Sequence, residues 1–463
     1  MKFLKLLLQA IYSYKRKNYE KAYQYYIKSI FYGEDELNYF YLKKILKNKD
    51  KCKNNIRIAV SGWELAHNAA GRVITLAELY YYAGYKNVEI IGCIIQNKTN
   101  KKTIWGPITS HFIPYKYFEI KNFDSDKLIE KAINFVVNNP FDVIHLSKPR
   151  ITNIVIGALY KIIWNAKIIV DIDDEELAFL GSNDISDKGL KSLFWTRISV
   201  PLSYYFDEIT TSNPALQDKY GGKIIPHVRN EKLFKPSNRL RKENRSKYHI
   251  NDENIVILFF GTPKKHKGLL ETAKAIQNLK DSNIIFLIVG DFFDSSLKKE
   301  LEIIEGVNYI FLPDQPYEEA KNIVSIGDIC ILLQNNDCEI SNYQLPAKLI
   351  DALAMGLTIF AQKTPAISSL IDKIYINYVS NIELTYHIHK YILNLNKGQS
   401  RINFNQHTYF VKFFSIGAYT NIVQELVNSP CKENSCLDIK LISNLKRLSI
   451  LDLLERYRSS KEE

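Results

Sequence analysis

The chain has 463 residues, with 62 Lys and Arg against 50 Asp and Glu, a formal charge of +12. Apolar residues make up 46% and charged residues 24%, a globular balance that excludes collagenous, low-complexity and broadly disordered classes. The length allows two or three domains with sizeable cores; the basic excess suits polyanions, anionic lipid surfaces or phosphorylated small molecules, and no groove-reading or base-stacking module directs it to nucleic acid.

Residues 1–54 read as a small helical preface, in which Leu4, Leu7, Leu8 and Ile11 form one stripe and Tyr19, Ala22, Tyr26 and Ile30 recur at helical intervals. NYEKAYQYYIKSI resembles one helix of a tetratricopeptide repeat, an architecture that gains stability by stacking several units. Packing on the adjoining lobe and docking of a protein partner both stay open. The first residues lack a signal-peptide cleavage region and soon become charged. Cys52, Cys93, Cys330, Cys338, Cys431 and Cys436 are scattered and make neither a metal-ligand pattern nor a disulfide framework, so a reduced, cytoplasmic protein is expected.

A first α/β lobe spans 55–236. IRIAVSG at 56–62 reads as a strand, residues 74–82 as a helix and VEIIG at 88–92 as a second strand. FDVIHLS (141–147) and AKIIVDID (166–173) repeat the pattern of an apolar strand with a polar end. The apolar run ITNIVIGALYKIIWNAKIIV is interrupted by Lys161, Asn165 and Lys167, whereas a membrane span holds about 20 predominantly apolar residues. It is expected to be a buried helix followed by a strand. EITTSNPALQDKYG and KIIPHVRN close the lobe.

The polar stretch NRLRKENRSKYHINDEN, 238–254, is expected to be an interdomain surface or connector. A second lobe, 237–380, alternates NIVILFFG, GLLETAKAIQNL, NIIFLIVG, VNYIFL, DICILL and PAKLIDALAMG followed by TIFA. Branched apolar strands between amphipathic helices predict a parallel sheet covered on both faces. Residues 381–463 read as crossover and terminal helices. Part of this segment is expected to brace the first lobe, and the rest to meet a protein partner or an anionic membrane surface.

The order of these motifs over 55–428 resembles a family 4-type retaining glycosyltransferase with the GT-B fold, two tandem Rossmann-like domains. Gly71 and Arg72 in NAAGRVITLAELYYYAG look like the acceptor-side loop of that family, and DVIHLSK resembles its strand ending in a cleft histidine, here His145. IPHVRNEKLFKP is similar to the IPNG-like connector, with Arg229 and Asn230 departing from the glycine-containing version. FFGTPKKHKGL resembles the donor-side segment, Lys267 matching the lysine of its KG unit, while the usual arginine is replaced by Thr262 and Pro263. Asp351 falls at the second acid of an ExxxxxxxE pattern whose first position is Tyr343; Glu339 is a candidate to compensate.

The resemblance implies a nucleoside diphosphate sugar as donor and a glycan, lipid-linked or protein-linked acceptor, with no metal cofactor. Lys267, with Lys264 or Lys265, would stabilise the leaving diphosphate, and Gly261 and Gly268 allow tight backbone paths beside it. Lys348 would add phosphate charge or pair locally with Asp351, three residues on. Asp351 would hold donor sugar or ribose hydroxyls. His145 would contact the transferred sugar or the acceptor hydroxyl, and Arg72 a phosphorylated acceptor; an ordinary strand-end histidine and a solvated arginine are the plain alternatives. The run Asp171, Asp173, Asp174, Glu175 and Glu176 lacks an ordered calcium-loop pattern, and because the resemblance implies metal-independent enzymes, acceptor binding or cleft electrostatics is expected there; Asp174 would take part in hydroxyl binding, with a solvent-facing acidic loop as the plain alternative. Catalytic roles thus fall on His145, Lys267 and Asp351. The alternatives are a GT-B nucleotide-sugar epimerase and a noncatalytic nucleotide-sugar-binding protein.

Overall fold

The computed structural model describes residues 56–96, 101–178, 193–292, 295–333 and 339–432, with the single positions 9 and 447. The helical preface and the last terminal helix expected from the sequence lie outside these residues, as do Cys52, Cys338 and Cys436. The described part contains two parallel α/β sheets, each flanked by helices, as two Rossmann-like domains require.

The first sheet has the order β3-β2-β1-β4-β5-β6-β7. Its strands are β1 (Ile58–Gly62), β2 (Val88–Gln96), β3 (Tyr115–Lys121), β4 (Val143–Ser147), β5 (Lys167–Ile172), β6 (Glu208–Thr211) and β7 (Lys223–Ile224). Every residue of β1, β4 and β5 is buried, the mark of a strand covered on both faces. The apolar run containing Lys161 folds as the expected helix, α1 (Ile151–Trp164), followed by β5. The lysines that break the run have partners within the same unit. Lys161 gives its ammonium to both oxygens of Asp207 at 2.7 and 2.8 Å, and Lys167 donates to the Ser429 carbonyl at 2.5 Å.

The second sheet has the order β10-β9-β8-β11-β12-β13. Its strands are β8 (Ile255–Phe260), β9 (Ile284–Val289), β10 (Asn308–Leu312), β11 (Ile329–Leu332), β12 (Thr358–Ala361) and β13 (Asn377–Tyr378). Alternate residues of β8 feed two cores. Val256 and Leu258 join Ile350 and Leu353 on one face, whereas Ile257 and Phe259 join Leu269 and Ile276 on the other. In both sheets the strand order reverses, between β1 and β4 in the first and between β8 and β11 in the second. Open α/β sheets bind ligands beyond the carboxyl ends of the strands at such a reversal.

The stretch expected to be a connector is instead mostly a helix, α2 (Asn238–Lys247), capped by the Ser237 side chain on the Leu240 amide. Its polarity misleads because Arg241 and Arg245 are buried against the carboxylate of Asp328, with Arg245 Nη2 2.6 Å from it. Among the described residues, packing separates one compact unit within 56–171, 193–209 and 425–432 from another within 172–178 and 210–424. Ser429 and Lys432 therefore belong with the first unit, where the Ser429 hydroxyl donates to Glu208 at 2.7 Å and the Lys432 amide to Asp207 at 2.9 Å.

Candidate functional site

In the second unit, β8 exits into Gly261–Gly268 at the strand-order reversal. Lys264 and Lys265 are exposed, and Lys265 is tied at the surface to Glu300 at 2.6 Å. Lys267 is half-buried, and its ammonium donates to the Thr262 carbonyl at 2.8 Å. Burial, with the charges of Lys348 and Lys264, lowers its pKa to about 7, against an opposing pull from Asp174. Lys348 stands in the first turn of helix α3 (Ala347–Met355), its ammonium 3.9 Å from the Phe259 ring centroid, and burial lowers it to about 8. Three of the four expected phosphate ligands, Lys264, Lys267 and Lys348, thus share one electrostatic environment.

Asp351, one turn further along α3, is buried and gripped by Arg229 at 2.7 and 3.3 Å. Burial raises its pKa and the guanidinium opposes the rise. The ion pair formed by Asp351 is therefore with Arg229 rather than with Lys348, and any donor hydroxyl would share a carboxylate already bound. The Arg229 departure from the glycine-containing connector supplies this partner. Glu339 has a largely exposed carboxylate 3.9 Å from Lys219, whose ammonium also meets Glu175 at 2.8 Å and lies 4.9 Å from the Tyr343 ring centroid.

The acidic run is divided among different partners. Asp171 turns to Arg72 in the first unit, and Glu175 accepts from Tyr220 at 2.7 Å on each oxygen. Asp173, Asp174 and Glu176 bring their ligand atoms within 4.8 Å of one another, an oxygen set suited to a hard cation. Asp174 also accepts from Gln344 Nε2 at 3.1 Å.

In the first unit, Arg72 forks onto both oxygens of buried Asp171 at 2.8 Å each. Gly71 begins the helix Gly71–Tyr82 that carries this arginine. His145 lies inside β4, fully buried, with Nδ1 3.1 Å from the Tyr80 hydroxyl. Burial lowers its pKa to about 4, Asp171 opposing and Arg72 adding to the shift. Arg72 and His145 are thus brought into one interior network rather than presented to solvent.

Residues 241–400 match the family described as glycosyl transferases group 1. A putative colanic acid biosynthesis glycosyl transferase, WcaI of Escherichia coli K12, is 27% identical over 113 residues, which are 24% of this chain and 27% of that protein. The chain thus spans about a quarter of the length of the curated relative it matches. The Anabaena HepE structure in complex with UDP-glucose superposes with a TM-score of 0.63 at 14% identity, covering 81% of this chain and all of that one. A glycosyltransferase structure from Rickettsia africae gives 0.60 at 15% identity, with 81% of this chain and 100% of that chain covered. The fold is that of the GT-B glycosyltransferases. Its second half carries a glycosyl transferases group 1 segment.

Proposed function

We propose that the protein is a retaining glycosyltransferase moving a hexose-type sugar from a nucleoside diphosphate carrier to a glycan, lipid-linked or protein-linked acceptor in bacterial surface polysaccharide or glycoconjugate synthesis. The observation that carries this reading is the pair of half-buried lysines, Lys267 and Lys348, with lowered pKa values where the second sheet reverses its strand order. A site that depresses two ammonium groups gains by taking in a polyanion. As the sugar C1–O bond breaks, its electron pair moves onto the diphosphate, and cations already in place stabilise that charge. The match over residues 241–400, the UDP-glucose bound in the HepE structure and the colanic acid biosynthesis ascribed to WcaI support donor and pathway class.

A transfer screen of nucleotide sugars against saccharide acceptors, read by product mass, tests the proposal. A new sugar conjugate from the intact chain, reduced at least tenfold in Lys267→Ala, is expected. A donor isomerised without transfer would replace the proposal with epimerisation, and donor binding without any product would replace it with a binding protein. Chelation is expected to leave turnover intact because lysines carry the neutralising charge; activity lost to chelator and restored by a divalent cation would move that role towards Asp173, Asp174 and Glu176. The formal charge of +12 supports an acceptor carried at the cytoplasmic membrane, and unchanged partitioning after neutralisation of exposed lysines would remove the membrane from the reading. Among the described residues, no helix is long and apolar enough to cross a membrane.

A further inference from the structure

Lys348 and Asp351 are opposite charges three residues apart on α3, the spacing at which helix side chains are neighbours. Burial pushes the Cys330 thiol on β11 up to about 12, with the Lys348 charge opposing the rise and the Asp351 charge adding to it, so both charges reach one side chain. Buried opposite charges this close ordinarily pair, because each otherwise gives up its hydration uncompensated. Here they do not. Asp351 turns to Arg229, and among the described residues Lys348 has no carboxylate partner, its ammonium resting on the Phe259 ring.

Arg229 is fixed in both backbone and side chain. Its N–H donates to the Phe414 carbonyl at 3.1 Å, and its own carbonyl accepts from the Ile416 amide at 3.0 Å. Nη1 donates to the Val228 carbonyl at 3.0 Å and the guanidinium lies 5.8 Å from the Phe234 ring centroid, while Nε and Nη2 go to the two oxygens of Asp351. A planar fork on a carboxylate is a two-point contact that an ammonium cannot match. The Arg229–Asp351 pair is neutral as a unit, so the charge that α3 has left over is that of Lys348. It adds to burial in depressing Lys267, which places the two ammonium groups in one field.

We infer that Arg229 is a positioning residue: by holding Asp351 it denies that carboxylate to Lys348 and keeps the Lys348 ammonium for a diphosphate. This rests on the donor reading above and deepens it, since Arg229 acts through Lys348 without touching the ligand. With Arg229 removed, the Asp351 carboxylate is free to take Lys348, and a diphosphate must then compete with a charge built into the same helix.

Inorganic pyrophosphate is the probe, because it carries the charge of the leaving group and no hydroxyl for Asp351 to hold. Calorimetric titrations of the full chain compare the native protein, Arg229→Met, and Arg229→Met combined with Asp351→Asn, each with and without Lys348→Met; UDP is titrated into the native protein in parallel. Arg229→Met should weaken pyrophosphate about tenfold, and adding Asp351→Asn should bring the affinity back to within about threefold of native, since no carboxylate remains to capture Lys348. Lys348→Met should cost about tenfold in the native and double-variant backgrounds but less than about twofold in Arg229→Met, where the ammonium is already taken. An arginine that merely supports the core would not make the Lys348 contribution vanish and return in this way. Arg229→Met strands a buried carboxylate, so folding is checked by urea titration; if it does not fold, Arg229→Gln, whose amide still donates to Asp351, replaces it in every arm. Native-like affinity in the single variant, a loss that Asp351→Asn does not reverse, or an equal cost of Lys348→Met in all backgrounds overturns the inference and leaves the donor reading standing. Failure of both UDP and pyrophosphate to bind the native protein removes the donor reading, and the inference with it.

Discussion

Lys267 donates to a backbone carbonyl and Lys348 rests on an aromatic face, yet both lose part of their protonated population near neutral pH. A diphosphate placed beside them favours their charged forms. In the free protein at pH 8, Lys267, at about 7, is mostly neutral and Lys348 is at its midpoint of about 8. UDP binding at pH 8 should therefore take up protons, and apparent affinity should fall as pH rises from about 7 to 9. Calorimetry in buffers of different ionisation heat measures the uptake. Lys267→Met should remove part of it and cost about 2 kcal/mol of binding, roughly thirtyfold; buffer-independent heats would sink the idea. The KG motif made Lys267 legible in the sequence, and the helix PAKLIDALAMG made Lys348 so. The Arg229 grip on Asp351 was not legible, since it joins positions 122 apart in the chain. Nor was the burial of His145, because a strand pattern marks a face without saying what covers it.

At the scale of elements, the loop that carries Lys267 turns into helix α4 (Leu269–Leu279) through Gly268, whose φ is +70°. A side chain there meets a left-handed backbone and also overlaps the Leu333 side chain inside contact distance. Gly306 has a similar φ of +76° but nothing within 4 Å of an added Cβ, so it isolates the backbone effect. Gly306→Ala should cost about 1 kcal/mol and Gly268→Ala about 2–3 kcal/mol in denaturant titrations. Only Gly268→Ala should also weaken UDP, because the displaced loop holds the lysine. Equal losses in the two variants would show that Leu333 yields freely. Most strands and the helices between them could be read from apolar periodicity. Helix α2 could not, because its buried residues are Arg241, Asn244 and Arg245, all polar, and the arginines' buried partner, Asp328, lies more than 80 residues away.

For the whole molecule, tandem sheets follow from the repeated strand-helix alternation, but strand order does not, since periodicity says nothing about which strands are neighbours. The order is what brings Arg72, Asp171, His145 and Tyr80 together in the first unit, and this interior network gives stability a pH dependence. His145 has a folded pKa of about 4 against an ordinary 6.5, because burial disfavours its charge. The unfolded chain therefore binds the extra proton first. The stability associated with neutral His145 is fully present above about pH 6.5 and is lost as pH falls through about 4, a total of about 3 kcal/mol. Asp351 works in the opposite sense at acid pH, since its raised pKa makes the folded state the better proton binder. A variant is needed to separate the two. His145→Phe with Tyr80→Phe removes both ends of the 3.1 Å contact, so no hydroxyl is orphaned, and keeps two rings that meet edge to face at 5.8 Å. Urea titrations between pH 7 and 4.5 should show the double variant losing about 2 kcal/mol less than the native chain across that window. Parallel losses would mean that His145 does not titrate differently in the folded and unfolded states, and the network would then be neutral to acid.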